Sequence, residues 1–206
     1  MRRHRTLAID VVLLPPQEVV DRATAVNQRL WQASRQGFPF DRTHLPHITL
    51  VQQYISVADI PVVWSAIRSV GVGFLPLPVR VTAIDAVHFS DGNNVSYYSI
   101  TMTSELKRLH EELMNRLEPY VTDGDVDSYV TDSGETVRPL SFRWTEEFRD
   151  RHAHTRYEPH ITLGVGPVQT FDKPFTFTAD RLALCRLGNF NTCREVLREW
   201  QLGAHE

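Results

Sequence analysis

The chain has 206 residues, of which 42% are hydrophobic and 23% charged, and a formal net charge of −3 at pH 7. This composition excludes a disordered tail, a coiled coil and a collagen-like rod, and the length is sufficient for a sizeable core. The negative charge is atypical of a protein that coats nucleic acid, because counterion release requires a basic face. A small anionic ligand or an RNA end, held by a few local groups, is compatible with it.

The apolar segment 7–14 is far shorter than a membrane-spanning helix and contains Asp10. The basic residues 1–5 precede it, but no cleavage site of small residues follows, as it would in a signal peptide. We therefore expect a cytoplasmic protein without membrane association. In that compartment the two cysteines, Cys185 and Cys193, are expected to be reduced thiols in the core.

Strand and helix patterns interleave through both halves of the chain. Apolar residues at helical spacing predict helices over residues 18–34, about 60–70 and 104–117. Runs rich in β-branched and aromatic residues predict strands over residues 7–14, 47–55, 79–89, 95–103, 160–165, 175–187 and 195–202. The polar, glycine-containing stretch from about 121 to 140 is predicted to be an exposed loop or a ragged hairpin inserted between the halves.

The pentapeptide Pro-His-Ile-Thr-Leu occurs twice, at residues 46–50 and 159–163. A chance repeat of this length is expected in roughly one of 100 such chains, so internal duplication is the better explanation. Each copy lies in a predicted strand, where alternate side chains point to opposite faces. His and Thr of each copy therefore share one face, and Ile and Leu face the core.

Two such strands related by a pseudo-twofold axis would bring two imidazoles and two hydroxyls together. In-line displacement at a phosphodiester needs a base for the attacking oxygen and an acid for the leaving oxygen. Histidine fills either role near neutral pH, which makes His47 and His160 candidate catalytic residues. The hydroxyls of Thr49 and Thr162 are candidate donors to the non-bridging phosphoryl oxygens.

Twin His-x-Thr motifs, each preceded by proline and followed by an aliphatic residue, resemble the signature of the 2H phosphoesterase superfamily, in particular its bacterial RNA 2′,5′-ligase and cyclic phosphodiesterase group. The resemblance covers most of the chain except residues 120–157. It implies a bilobal, internally duplicated α+β fold in which two small, mainly antiparallel sheets with flanking helices surround a cleft. It also implies one such domain over residues 1–206, without a metal or other cofactor. We expect this domain to be a monomer.

Further residues near the motifs are candidates for substrate binding. Phe40, Tyr54 and Tyr157 are candidates for stacking on a base, whereas Phe89 fits core packing better. A cation for the phosphate is expected among the arginines close to the motifs, with Arg156 as the chosen candidate beside Arg42, Arg143 and Arg151.

The predicted activity is metal-independent hydrolysis of 2′,3′-cyclic phosphate ends of RNA or nucleotides, and reverse 2′,5′ ligation is left open. The motifs do not assign the acid and the base. One alternative is a non-catalytic module that binds a nucleotide or RNA end, and another is a phosphodiesterase for 2′,5′-oligoadenylate or ADP-ribose cyclic phosphate. A third is a metallohydrolase that uses His44, His152 and His154.

Overall fold

The computed structural model describes residues 5–89, 92, 94–168, 170–171 and 173–204. The first half of this part contains β1 (Thr6–Leu14), α1 (Gln17–Ser34), β2 (Ile48–Ser56), α2 (Ile60–Gly71), β3 (Leu77–His88), β4 (Asn94–Ile100) and α3 (Ser104–Leu117). The second half contains α4 (Pro139–Arg151), β5 (His160–Val165), β6 (Phe175–Ala179), β7 (Arg181–Leu187) and β8 (Cys193–Gln201).

The strands form two four-stranded sheets, and every strand pair in both is antiparallel. The strand order is β2-β1-β7-β8 in the first sheet and β5-β4-β3-β6 in the second. The α+β class with two mainly antiparallel sheets is therefore confirmed. The two strands that carry the repeated pentapeptide, β2 and β5, are each an edge strand of their sheet, and they contact one another.

The helices α1, α3 and α4 pack their apolar faces against the two strands that carry the pentapeptides. On α1, the residues Val19, Ala23, Val26 and Leu30 are buried, and this helix packs against β5 of the second sheet. Both α3 and α4 pack against β2 of the first sheet. Burial of these faces holds the edges of β2 and β5 together.

One predicted strand is two strands in the structure. The run 175–187 breaks at Asp180, so that β6 pairs with β3 in the second sheet and β7 pairs with β1 and β8 in the first. Both strands bury apolar residues, and the apolar pattern therefore continues across the break between sheets.

The predicted loop over 121–140 is also corrected. Its last two residues begin α4, a helix that the sequence analysis does not predict. The preceding segment is not simply exposed: Tyr129 and Val137 are buried, and the Val130 amide donates to the Leu187 carbonyl at 2.8 Å. The segment packs along the first sheet because its backbone finds hydrogen-bond partners there.

Cys185 and Cys193 form a disulfide between β7 and β8, with their Cα atoms 5.6 Å apart. The expectation of reduced thiols is therefore wrong for this structure. The antiparallel pairing of the two strands brings the residues together, and both side chains are buried. Within the described ranges, none of the helices has the length and apolar character needed to span a membrane.

Candidate active site

Both motif histidines are anchored in the same way. His47 Nδ1 donates to the Leu45 carbonyl at 2.7 Å, and His160 Nδ1 donates to the Glu158 carbonyl at 2.8 Å. A carbonyl oxygen only accepts, so each Nδ1 must carry a proton. In each neutral imidazole, Nε2 is consequently the unprotonated nitrogen.

The two motifs line one cleft of about 250 Å³, which contains His47, Thr49, His160 and Thr162. The alternation predicted from the strand pattern is present, because these four side chains are half-buried while the isoleucines and leucines of both pentapeptides are buried. Because β2 and β5 are edge strands, they lie next to each other, and the polar side chains of both motifs line the same cleft.

Burial determines the protonation of both imidazoles. The His47 side chain is only 13% exposed, and this burial lowers the pKa of His47 to about 4, against a smaller rise from its bond to the Leu45 carbonyl and with a further decrease from His160. Burial likewise lowers the pKa of His160. Both histidines are therefore neutral at pH 7.

A buried carboxyl group lies beside the first motif. Asp10 Oδ2 accepts from the Thr49 hydroxyl at 2.7 Å and from Gln52 Nε2 at 2.8 Å, and it lies 3.5 Å from His47 Nε2. Burial raises the pKa of Asp10 to about 8, although the bonds from Gln52 and Thr49 lower it in part. In the sequence Asp10 is evident only as a break in an apolar segment, and a carboxyl in the middle of a buried strand is the signal that identifies it.

The second motif has different neighbours. On β4, Tyr97 pairs with Thr162 and Ser99 pairs with His160, and the Tyr97 ring lies 5.1 Å from the His160 ring. In the part of the chain that the structure describes, the Thr162 hydroxyl has no hydrogen-bond partner. The two motifs are therefore equivalent in histidine anchoring but not in the surroundings of their threonines.

Aromatic side chains form much of the remaining cleft wall. On one side, Phe38, Phe40 and Phe190 lie together, with the Phe38 ring 5.9 Å from Phe40 and 5.8 Å from Phe190. On another side Trp144 of α4 lines the cleft, with its ring 6.3 Å from that of Phe89. Of these residues, only Phe40 was predicted from the sequence to bind substrate.

Two cationic side chains line the same cleft, Arg138 and Arg156. The Arg138 guanidinium lies 4.4 Å from the centre of the Phe190 ring. Arg156 donates to the Asp150 carbonyl at 2.6 Å. The combination of two imidazoles, two hydroxyls, aromatic walls and arginines suits an anionic ligand with an aromatic part.

A comparison with known families decides the classification. Residues 15–189 match the model of the 2′-5′ RNA ligase superfamily. The chain belongs to this superfamily of 2H phosphoesterases. The twin motifs lie within the matched region, as expected from the sequence resemblance. No curated protein matches the chain significantly.

Solved structures show the same fold at low sequence identity. TT0787 of Thermus thermophilus is 18% identical, with a TM-score of 0.58 over 97% of this chain and 100% of its own. Escherichia coli LigT complexed with NADP+ is 14% identical, with a TM-score of 0.50 over 97% of this chain and 99% of its own. The arrangement of sheets and helices in this 2H phosphoesterase is therefore shared along nearly its whole length.

The structure brings most predicted substrate-binding residues to the cleft of this 2H phosphoesterase. Phe40, Tyr157 and Arg156 line it, and Tyr157 also donates its hydroxyl proton to the Thr49 carbonyl at 2.7 Å. Tyr54 does not line it. Its side chain is buried farther along β2, opposite Ala8, where its hydroxyl bonds to that of Tyr129 at 2.7 Å.

The register shift of β2 near Leu50 keeps Gln52 and Tyr54 on the face of Thr49, and Tyr54 is excluded from the cleft because Tyr129 and Phe142 cover it. The expected core role of Phe89 is also corrected, since this half-buried ring lines the cleft. The other arginine candidates, Arg42, Arg143 and Arg151, are not among the lining residues.

The histidines of the alternative metal cluster each have a different partner. His44 pairs with Asp41, His152 stacks on Trp144 with ring centres 3.7 Å apart, and His154 donates its backbone N–H to His110. Among the residues the structure describes, His, Cys, Asp and Glu form no group of three or more placed to hold a metal ion. This placement disagrees with a site built from His44, His152 and His154.

Proposed function

We propose that this 2H phosphoesterase hydrolyses 2′,3′-cyclic phosphate ends of RNA or nucleotides by two-histidine acid/base catalysis. The observation that carries the proposal is the presence of two imidazoles, each anchored through Nδ1 and accompanied by its motif threonine, in one cleft. Both proton transfers of the reaction can then be assigned to protein side chains. The proposed mechanism consequently uses no metal.

The anchoring of Nδ1 gives each imidazole two useful states. When neutral, it presents the lone pair of Nε2 and takes the proton of the attacking water as the new P–O bond forms. When protonated, it presents an Nε2–H and gives this proton to the ribose oxygen as its bond to phosphorus breaks. The productive state has one neutral and one protonated histidine, and the reverse reaction exchanges their roles.

The hydroxyls of Thr49 and Thr162 are assigned to the two non-bridging phosphoryl oxygens, whose charge is redistributed in the transition state. Arg138 and Arg156 supply positive charge in the same cleft. Together these groups form a polar centre for one phosphate.

The aromatic wall supports a nucleotide as the class of substrate. The rings of Phe38, Phe40, Phe190 and Trp144 offer faces or edges to a base, and stacking of a base on an aromatic side chain contributes roughly 1–3 kcal/mol. Stacking tolerates every base, so this wall fits an RNA end better than one particular nucleobase. The cleft is open to solvent, which leaves a path for the remainder of an RNA chain.

The proposal is tested by turnover of adenosine 2′,3′-cyclic phosphate, with the product identified by ³¹P NMR. We expect hydrolysis to a single phosphomonoester, at a kcat that is unchanged by a chelator. Binding without turnover would contradict the proposal and favour the non-catalytic module. Loss of kcat on chelation, restored by a metal ion, would favour a metallohydrolase instead.

The substrate is tested separately by comparison of kcat/KM for a cyclic-phosphate RNA end, the free cyclic nucleotide, 2′,5′-oligoadenylate and ADP-ribose cyclic phosphate. We expect one of the two 2′,3′-cyclic phosphates to give the highest value. A preference for either of the others would keep the two-histidine chemistry but reject the proposed substrate. Incubation of the 2′,3′-cyclic phosphate RNA end with a 5′-hydroxyl RNA tests ligation.

A further inference from the structure

Asp10 is fully buried in the interior strand of the first sheet, and among the described residues no lysine or arginine pairs with its carboxyl group, while the His47 imidazole 3.5 Å away neutralises a carboxylate only when it is protonated. Its Oδ1 has no hydrogen-bond partner among the described residues, and Oδ2 receives only the neutral donors Thr49 and Gln52. An ionised carboxylate in such a position would lose its hydration without compensation. The geometry therefore favours a protonated Asp10.

The titratable groups that face Asp10 do not change this conclusion. His47, from the start of β2, is itself buried and is held neutral by its surroundings. Tyr157, from the segment before β5, is neutral, and proximity to Asp10 contributes to the increase in its pKa. The partner of Asp10 on β7 is Cys185, which is in the disulfide.

The hydrogen bonds around Asp10 determine where its proton can be donated. Gln52 is fixed as a donor, because its Oε1 accepts from Asn191 Nδ2 at 3.1 Å while its Nε2 faces Asp10. Thr49 Oγ1, 2.7 Å from Asp10 Oδ2, is therefore the nearest acceptor. When Asp10 donates to it, the single hydroxyl proton of Thr49 must be directed elsewhere, and Thr49 lines the cleft.

On the basis of the proposed function, we propose that Asp10 is a positioning residue that acts in its protonated form: it donates to Thr49 Oγ1 and so directs the Thr49 hydroxyl proton toward a bound phosphoryl oxygen. Ionised Asp10 has the opposite effect, because it accepts that proton and leaves the lone pairs of Thr49 facing the anion. Thr162 has no such partner among the described residues, so only the first motif responds to this proton.

The first test is the protonation state of Asp10 in the intact protein. The ¹³C resonance of its Cγ, assigned through the Asp10 backbone amide, is followed from pH 4 to 10. We expect the shift of a protonated carboxyl at pH 6 and a titration far above the ordinary value of about 3.9. A carboxylate at pH 6, including one paired with a protonated His47, would overturn the proposal.

The second test measures binding of inorganic sulfate, which keeps the same charge between pH 5 and 9. We expect Thr49→Val to raise the Kd by about tenfold or more at pH 6, because a hydrogen bond to a charged group is lost, and to have little effect at pH 9. The matched control Thr162→Val is expected to raise the Kd by the same factor at both pH values.

In Asp10→Asn, the effect of Thr49→Val is expected to become independent of pH. An equal effect of Thr49→Val at pH 6 and pH 9 in the otherwise unchanged protein would overturn the proposed role, and this comparison does not require Asp10→Asn to fold. Neither test uses turnover. Their failure is therefore distinguishable from the failure of the proposed hydrolysis.

Discussion

The Nε2 atoms of His47 and His160 are the reactive atoms in this account, and the carbonyls of Leu45 and Glu158 hold them in place. These carbonyls belong to residues two positions before each histidine. Each motif therefore carries its own orienting group, and no carboxylate is needed to fix the tautomer.

The lowered pKa values predict the pH dependence of the reaction. Burial lowers the pKa of His47 to about 4 and also lowers that of His160, so the singly protonated pair of the free enzyme is most populated below pH 6.5. We expect a bell-shaped profile of kcat/KM with its maximum on the acid side of 6.5. A bound phosphodiester anion favours the imidazolium, so the maximum of the kcat profile is expected at a higher pH than that of the kcat/KM profile.

Steady-state kinetics from pH 4 to 10 check both expectations. As a control, the rates are measured at constant ionic strength with a substrate that does not titrate in this pH range. A rate that increases continuously to pH 10 would point to hydroxide as the nucleophile and would contradict acid catalysis by a histidine.

The catalytic candidates were predictable from sequence because the repeated pentapeptide combines a rare pattern with strand alternation. Asp10 was not, because its role depends on the pairing of β1 with β2, which places it opposite Gln52 and near Thr49. The aromatic wall was missed for a similar reason. Phe190 and Trp144 lie far from either motif in sequence and reach the cleft only in the folded chain.

A buried asparagine on α1 forms hydrogen bonds with both the segment before β2 and the second motif strand, β5. Asn27 Nδ2 donates to the carbonyls of Phe38 and Leu163, and its Oδ1 accepts from the Phe40 N–H. The last bond holds the backbone of a residue that lines the cleft. Asn27 thus connects the packing of α1 with the position of the aromatic wall.

We expect Asn27→Leu to destabilise the fold and to alter binding more than chemistry. Each buried carbonyl or N–H left unpaired costs roughly 1–3 kcal/mol, so the free energy of unfolding should decrease by at least that amount. KM should rise more than kcat falls, because Phe40 loses its support. Urea unfolding and kinetics measure both effects, with the exposed Gln28→Leu on the same helix as control. Equal stability of the two variants would contradict the assigned role.

The elements themselves were largely predictable where apolar periodicity and caps agree, as in α3, whose N-cap Thr103 accepts from the Leu106 N–H. The helix α4 was not predicted because its sequence is predominantly polar and buries only part of one side. The division of 175–187 between two sheets was not predicted either, because strand-forming residues occur on both sides of Asp180.

For the whole molecule, buried histidines predict that stability depends on pH. His110 is fully buried, its Nδ1 donates to the Leu50 carbonyl and its Nε2 accepts from the His154 N–H, which requires the neutral form. Burial lowers the pKa of His110 to about 4. The unfolded chain binds this proton near pH 6.5, so stability is lost as pH falls from 6.5 toward 4, by at most about 1.4 kcal/mol per pH unit for each such histidine.

Asp10 acts in the opposite direction. Its pKa is raised to about 8, so its contribution to stability is lost as pH rises from about 4 to 8. We therefore expect maximal stability near neutral pH, a flatter acid limb in His110→Gln and a flatter alkaline limb in Asp10→Asn. Urea unfolding at a series of pH values measures these changes. If the acid limb of the stability curve is unchanged in His110→Gln, or the alkaline limb is unchanged in Asp10→Asn, the protonation state assigned to that residue is contradicted.

The two-histidine mechanism is tested most directly by the kcat of His47→Ala and His160→Ala with adenosine 2′,3′-cyclic phosphate, beside His88→Ala as a matched control outside the cleft. Each motif variant is expected to lose roughly 10²–10⁴-fold in kcat, because each histidine supplies a separate proton transfer. His88→Ala should retain the full rate. A folded His47→Ala or His160→Ala enzyme that keeps more than about a tenth of the wild-type kcat would contradict the two-histidine mechanism.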